Sequence, residues 1–333
     1  MKNTPRRKRS LTVNSYEKSV DDNLRDVAAR NRARVCPKVN MLDALDERTE
    51  RPGVLTYDER SYAMKAHFDF VIDHKDDGVM FAVEYDGPQH STDADTIRRD
   101  NLKNAICEKL EFPLLRIDAD CLLKIDNYYT SLLSWLVEMF FLEREFSAAQ
   151  ERGEIPDDEP WHYGNYLGVG FQDGDEFVTM RIADCKSLEE FYTYLPKLLA
   201  TNPYDPFMPA RRKLKQLYES GKIKSYTPEM LWPKEENGYI SLYALVELAS
   251  GRTVVGKSRC RTTHFVPISN LELAEELAIV DVVAKIEKVT ERKSGVKTAI
   301  IKPSTTEQIQ ELRLKCKRFY ASLVVPGAVY GDW

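Results

Sequence analysis

The sequence predicts an α/β fold in its first part and an α+β fold in its second. Three observations carry this. Two strand-like runs, HFDFVID over 67–73 and VMFAVEYD over 79–86, flank a polar HKDDG turn. Helix-period segments precede and follow them, and a third apolar run, LLRID, comes after the second helix. A polar, acidic stretch with two prolines over 147–160 then separates this part from the rest of the chain.

The elements follow in order. Residues 1–13 form a flexible basic arm. Residues 14–33 read as a helix, with Ser15 able to cap it and Val20, Leu24, Val27 and Ala28 at helical spacing. Pro37 breaks that pattern. VNMLDAL over 39–45 is short and apolar, and the charged stretch 46–60 with Pro52-Gly53 reads as a loop. The two runs at 67–73 and 79–86 make a hairpin. A turn centred on Asp76-Asp77 pairs residues whose numbers sum to 153, which sets Asp69 opposite Glu84. Alternation then puts Asp69, Val71, Ala82, Glu84 and Asp86 on one face, and Phe70, Ile72, Phe81, Val83 and Tyr85 on the other. Residues 95–110 read as a helix, LLRID as a strand, and 127–146 as a long amphipathic helix.

Beyond 160, YLGVGF and EFVTMRI flank QDGD as a second hairpin. Residues 187–200, 210–220 and 305–323 read as helices, and 239–248, 253–268 and 279–302 as strands. The expected domains are therefore 14–146 and 161–333, joined by the linker 147–160.

Composition narrows the function. With 333 residues and 43% apolar content the chain can bury a sizeable core, or two. No apolar run reaches the ~20 residues of a membrane span. The basic start, MKNTPRRKRS, lacks an apolar h-region and so does not read as a secretory signal. The six cysteines form no CxxC pair and read as reduced thiols of a cytoplasmic protein. The net charge of −5 argues against a uniformly basic nucleic-acid binder, but basic residues concentrate in 1–38 and 285–318.

The chemistry gathers at the first hairpin. Asp69, Glu84 and Asp86 on one sheet face would lie within ~7 Å of each other. Such acids repel, so one must stay protonated or a cation must neutralise them. Oxygen ligands suit Mg²⁺ or Mn²⁺, which can activate water for phosphodiester hydrolysis, and a nearby lysine would stabilise the developing charge. Asp100 and Lys103, three apart on a helix, also fit an ordinary surface ion pair. His90, after Pro88-Gln89, fits a surface loop as well as a site, and Arg116 fits a structural partner for one of the acids.

The ordered set Asp69-Phe70, Glu84-Tyr85-Asp86-Gly87 with His90, Arg98 or Arg99 with Asp100 and Lys103, then Arg116-Ile117, with the lead-in RVCPKVNMLDAL, resembles the PD-(D/E)XK nuclease superfamily. The similarity is to the branch of bacterial domains of unknown function related to the very-short-patch-repair endonuclease, and it covers about residues 15–145. It implies a restriction-endonuclease-like core, a mixed central sheet flanked by helices. Implied too are metal ligands at Asp69 and Glu84, with a helix acid at Glu17 or Asp21, and cleavage of double-stranded DNA with Mg²⁺ or Mn²⁺. The lysine that the superfamily places two residues after the glutamate is here Asp86, as is usual in this branch. Its role passes to Lys103, His90 or Gln89. DNA contacts are expected from Arg98 and Arg99, and from Lys257, Arg259 and Arg261 in the basic-aromatic run GKSRCRTTHF. That run also fits a solvated strand edge. A role in prokaryotic defence, mobile elements or repair follows from the resemblance alone, as does a protein partner or homodimer. The second reading is an inactive nuclease-fold module that binds DNA or docks in a larger complex.

Overall fold

The computed structural model describes residues 15–45, 53–87, 93–122, 131–158, 161, 169–173, 176–180, 206–233, 239–261, 265, 267–290 and 304–320. The chain divides into two compact units: 1–141 with 263–265, and 142–262 with 266–333. Each is mixed α/β in content.

The first unit opens with helix α1 (Ser15–Arg30), whose Val20, Leu24, Val27 and Ala28 are fully buried, as their spacing predicts. Strand β1 (Ala33–Asn40) follows, then the short helix α2 (Met41–Ala44) and helix α3 (Tyr57–Ala63). Thr56 and Glu59 close a capping box at the start of α3, inside the stretch expected to be loop. Next come strands β2 (His67–His74) and β3 (Gly78–Tyr85), helix α4 (Ala94–Lys109) and strand β4 (Leu114–Ile117). The sheet order is β1-β2-β3-β4, with β4 parallel to β3 and the other pairs antiparallel.

Pro37 was expected to interrupt regular structure, yet it sits inside β1. Among the described residues β1 is an outer strand paired with β2, and so tolerates a residue without an N–H. The hairpin register is as expected nearest the acids, with Phe70↔Val83, Val71↔Ala82 and Ile72↔Phe81. A bulge between Ile72 and Asp73 then shifts it to Asp73↔Val79 and His74↔Gly78. Gly78, at φ +72°, closes the turn.

The two faces of the sheet are as alternation requires. Val71 and Ala82 join Ile106, Cys107 and Leu110 of α4 in one core. On the opposite face Phe81 packs against Phe140, 4.5 Å between ring centres, and against Phe265 at 5.2 Å. Phe140 belongs to helix α5 (Leu132–Glu151), within which the unit boundary falls. The helix therefore runs into the stretch expected to be linker. Tyr85 stacks on Tyr16 of α1 at 5.7 Å.

In the second unit, β5 (Val169–Asp173) and β6 (Glu176–Met180) form a hairpin. Helix α6 (Met208–Glu219) precedes strands β7 (Glu229–Trp232), β8 (Tyr239–Glu247) and β9 (Thr253–Arg261). Helix α7 (Asn270–Thr290), helix α8 (Thr306–Lys315) and strand β10 (Lys317–Tyr320) follow. The sheet is fully antiparallel in the order β10-β7-β8-β9. Two expectations are corrected here. The apolar run from 279, read as strand, is helical through Thr290, because Ala274, Ala278, Ile279, Val282, Val283 and Ile286 keep a helical period against the sheet. The expected helix 305–323 stops at Lys315, where β10 pairs with β7. The expected helix 187–200 lies outside the described residues. No helix among the described residues is long and apolar enough to cross a membrane.

Candidate functional site

The ladder between β2 and β3 ends at Phe70↔Val83, and just past it side chains replace backbone pairing. The Asp69 N–H donates to Glu84 Oε1 at 3.1 Å, and the Tyr85 N–H donates to Asp69 Oδ2 at 3.0 Å. Each carboxylate thus satisfies an amide of the opposite strand, which fixes both acids at the sheet's end. The expected juxtaposition of Asp69 and Glu84 is present.

Their remaining oxygens meet ammonium groups. Lys103 Nζ lies 2.8 Å from Glu84 Oε2 and donates to the His67 carbonyl at 2.8 Å. It also sits 5.4 Å from the Phe68 ring centre. Helix α4 presents Asp100 and Lys103 inward, so both are buried and they are not a surface ion pair. Burial pushes the Glu84 carboxyl above the usual carboxylate range. The Lys103 ammonium pulls it back, and the Asp69 charge pushes it further up.

Lys38 is the residue that sequence reasoning missed. Its Nζ lies 2.5 Å from Asp69 Oδ1 and 3.7 Å from Glu17 Oε1. Burial disfavours its charge, but Asp69, then Glu17 and Glu84, outweigh burial and hold its pKa above the ordinary lysine value. Its φ of +53° is uncommon for a residue with a side chain. The one signal in the sequence was its place in the lead-in RVCPKVN, where the register Pro37↔Phe70 and Val39↔Phe68 brackets Lys38 against Asp69.

Asp86 has a different environment from the one expected. The Arg116 guanidinium grips it in a fork, Nε to Oδ2 at 2.9 Å and Nη2 to Oδ1 at 2.6 Å. Arg116 also reaches Asp100 Oδ1 at 2.7 Å and Asn104 Oδ1 at 3.1 Å. The Arg116 side chain is 0% exposed and that of Asp86 2%. Burial opposes the guanidinium charge, but Asp86, Asp100 and Glu84 outweigh it and raise the Arg116 pKa. Asp86 therefore anchors β4 to the end of β3, as a bound structural anion rather than an open site group. Close by, Tyr62 donates to the Arg99 carbonyl at 3.1 Å; burial, with Glu84 and Asp100, pushes its phenol up to about 12.

Other expected site residues stand apart. Glu17 touches the cluster only through Lys38, and Asp21 pairs with Arg25 at 2.9 Å. Arg98 is exposed, while Arg99 donates to the Asp95 carbonyl and to the Thr96 hydroxyl. Gln89 and His90 lie outside the described residues. Lys257, Arg259 and Arg261 belong to the second unit.

The donor set bears on a divalent ion directly. Among the described residues no group of three or more acids, histidines or cysteines converges as a metal cage. What converges is one acid pair, Asp69 with Glu84, with Glu17 on the far side of the Lys38 ammonium. A single cation already sits between Asp69 and Glu17. One or two carboxylates suit Mg²⁺, which keeps several waters, provided that the half-exposed Lys38 swings aside.

A protein family of unknown function, DUF2726, has a model that matches residues 11–133. The match spans Glu17, Lys38, Asp69, Glu84, Asp86, Asp100, Lys103 and Arg116, and so encloses the whole cluster. No curated protein matches the chain, and no solved structure does.

Proposed function

We propose that the first unit is a divalent-metal-dependent DNA endonuclease or nickase with a restriction-endonuclease-like core. The observation that carries this reading is the meeting of Asp69, Glu84 and Lys103. They come from β2, β3 and α4: the Asp69 backbone N–H and the Lys103 ammonium both donate to the Glu84 carboxylate, at 3.1 and 2.8 Å. A mixed four-stranded sheet with helices on its faces supports the core assignment.

Asp69 and Glu84 would hold Mg²⁺ or Mn²⁺, with Glu17 assisting. Such an ion would supply a water of lowered pKa and charge neutralisation at phosphate. Lys103 takes the role of the superfamily lysine. Its amino group is anchored by the His67 carbonyl and Glu84, and so keeps its position without reorganising during reaction. Asp86 is not one of the working groups in this reading; it positions Arg116 and the end of β4.

The test is cleavage of supercoiled plasmid by the full chain with Mg²⁺ or Mn²⁺. Nicked or linear product is expected from the native protein, and none from Glu84→Gln or Asp69→Asn. Equal cleavage by the variants refutes the assignment.

One observation favours the second reading, a nuclease-derived module without activity. Every oxygen of Asp69 and Glu84 already accepts from or pairs with a protein donor. Absence of Mn²⁺ binding by calorimetry, together with salt-sensitive DNA binding, would select that reading.

A further inference from the structure

The antiparallel sheet of the second unit has two unlike faces. One is sealed by α7, where Ile240, Leu242, Ala244, Val254 and Cys260 are buried and Gly256 admits the helix backbone. On the other face α8 packs Ile309 against Leu231 and Leu245, with Tyr243 and Val255 partly buried against the same cluster. Along this face Tyr239, Ser241 and Tyr243 of β8 stand opposite Arg261, Arg259 and Lys257 of β9, pair by pair.

This arrangement is pre-organised. The Arg259 guanidinium lies 3.9 Å from the Tyr239 ring centre and that of Arg261 5.3 Å, with Arg261 also donating to the Tyr239 hydroxyl at 3.2 Å. Lys257 Nζ lies 5.6 Å from the Tyr243 ring centre. One tyrosine thus splints two arginines, and a cation–π contact leaves the donors of the exposed Arg259 pointing outward. Lys257 and Arg259 are exposed, and among the described residues neither side chain meets a carboxylate.

The strand's outer edge is closed instead. The Lys257 N–H donates to Asp281 at 2.8 Å, and Lys285 donates to the Val255 carbonyl at 3.0 Å. An added β-strand therefore finds the edge occupied at this point. Among the described residues the face presents the exposed Lys257 and Arg259 beside the half-buried Tyr239 and Tyr243 rings.

We propose that this face binds one strand of single-stranded nucleic acid through its phosphate backbone. Alternate residues along β9 put Lys257 and Arg259 ~6.6 Å apart, a spacing of the same order as that of successive phosphates in an extended strand. A nearly flat face cannot enter a duplex groove, but it can lie along a single backbone with bases over tyrosines and guanidinium planes. The inference is independent of the catalytic reading, because it uses neither the acid cluster nor a metal ion.

The test is fluorescence anisotropy of a labelled oligothymidine with the full chain in EDTA, over a series of salt concentrations. Binding is expected, with log K falling linearly against log salt. The double variant Lys257→Ser/Arg259→Ser should bind about tenfold or more weakly, and its slope should be shallower by about 1.4, two contacts at ~0.7 each. Both side chains are exposed, so the variant should fold, which circular dichroism checks. Tyr239→Leu, with both cations kept, should also weaken binding by freeing the guanidiniums. An unchanged slope in the double variant overturns the proposal. So does tighter binding of a blunt duplex than of the single strand, or no binding by the native chain. Each readout is made in EDTA on uncut oligonucleotide, so failure of cleavage leaves it unaffected.

Discussion

Replacing Arg116 by leucine should unfasten the end of the first unit's sheet. The guanidinium is fully buried and serves two carboxylates, Asp86 and Asp100, and the Asn104 side-chain oxygen Oδ1. Leucine would remove the guanidinium from two buried acids at once. Breaking a buried ion pair from one side costs about 3–5 kcal/mol, and about 3 kcal/mol is a hundredfold in an opening equilibrium. The affected hydrogen bonds are known: Glu84 and Arg116 are register partners, and the Asp86 N–H donates to the Ile117 carbonyl at 2.7 Å. Hydrogen exchange followed by mass spectrometry reads them directly. Peptides covering 82–87 and 114–118 should exchange roughly a hundredfold faster in Arg116→Leu, while peptides from β8 and β9 serve as an internal reference. Acceleration of less than about tenfold would show that the pair contributes little, and the anchoring role of Asp86 would fall. Arg116→Lys should rescue only in part, because an ammonium cannot reproduce the fork.

Three further outcomes are expected. Gly256→Ala should destabilise the second unit by about 1–3 kcal/mol through overpacking: an added Cβ would lie 2.6 Å from the Val282 N and would also strike the Ala278 carbonyl oxygen, both on backbone. A urea midpoint unchanged from the native chain would contradict that. The Lys109 hydrogen bond, then the Thr56 N–H, hold Glu59 below the usual carboxylate range. A depressed folded pKa stabilises above the unfolded value of ~4.3 and is lost as pH falls through the folded value. The difference in melting temperature between native protein and Glu59→Gln should therefore be full at neutral pH and close in acid; a constant gap would refute the sign. Finally, Lys38→Met removes the cation that sits on Asp69, so Mn²⁺ affinity by calorimetry should rise a few-fold over the native chain. Equal affinity would show that Lys38 does not compete for that carboxylate.

Much of this architecture was legible in the residues. Over 67–86 the turn at Asp76-Asp77 assigned the opposition of Asp69 to Glu84, and alternation assigned the two faces of the hairpin, because successive side chains along a strand point to opposite sides. The burial of α1 was equally readable from its spacing. Three features were not. Strand β1 was hidden by Pro37, since a proline means a break unless the strand is known to lie at an edge. Helix α7 was taken for strand beyond residue 279, because its β-branched run of Ile279, Val280, Val282 and Val283 favours strand locally while the helical period shows only when the residues from Ala274 are read with it. Lys38 was passed over because a lysine near a proline carries no local mark of facing an acid 31 residues away.

The sequence by itself determined which acids share the sheet face, because side-chain direction along a strand is fixed by covalent geometry with a period of two. Tertiary structure alone decided what those acids do with their charge. Asp69 goes to Lys38, Glu84 to Lys103, and Asp86 with Asp100 to Arg116. Each cation comes from a different element, and long side chains reach their partners only once β1, α4 and β4 have been packed around the hairpin. Pairing of charges is a matter of distance in space, which a chain acquires on folding and does not carry in its order.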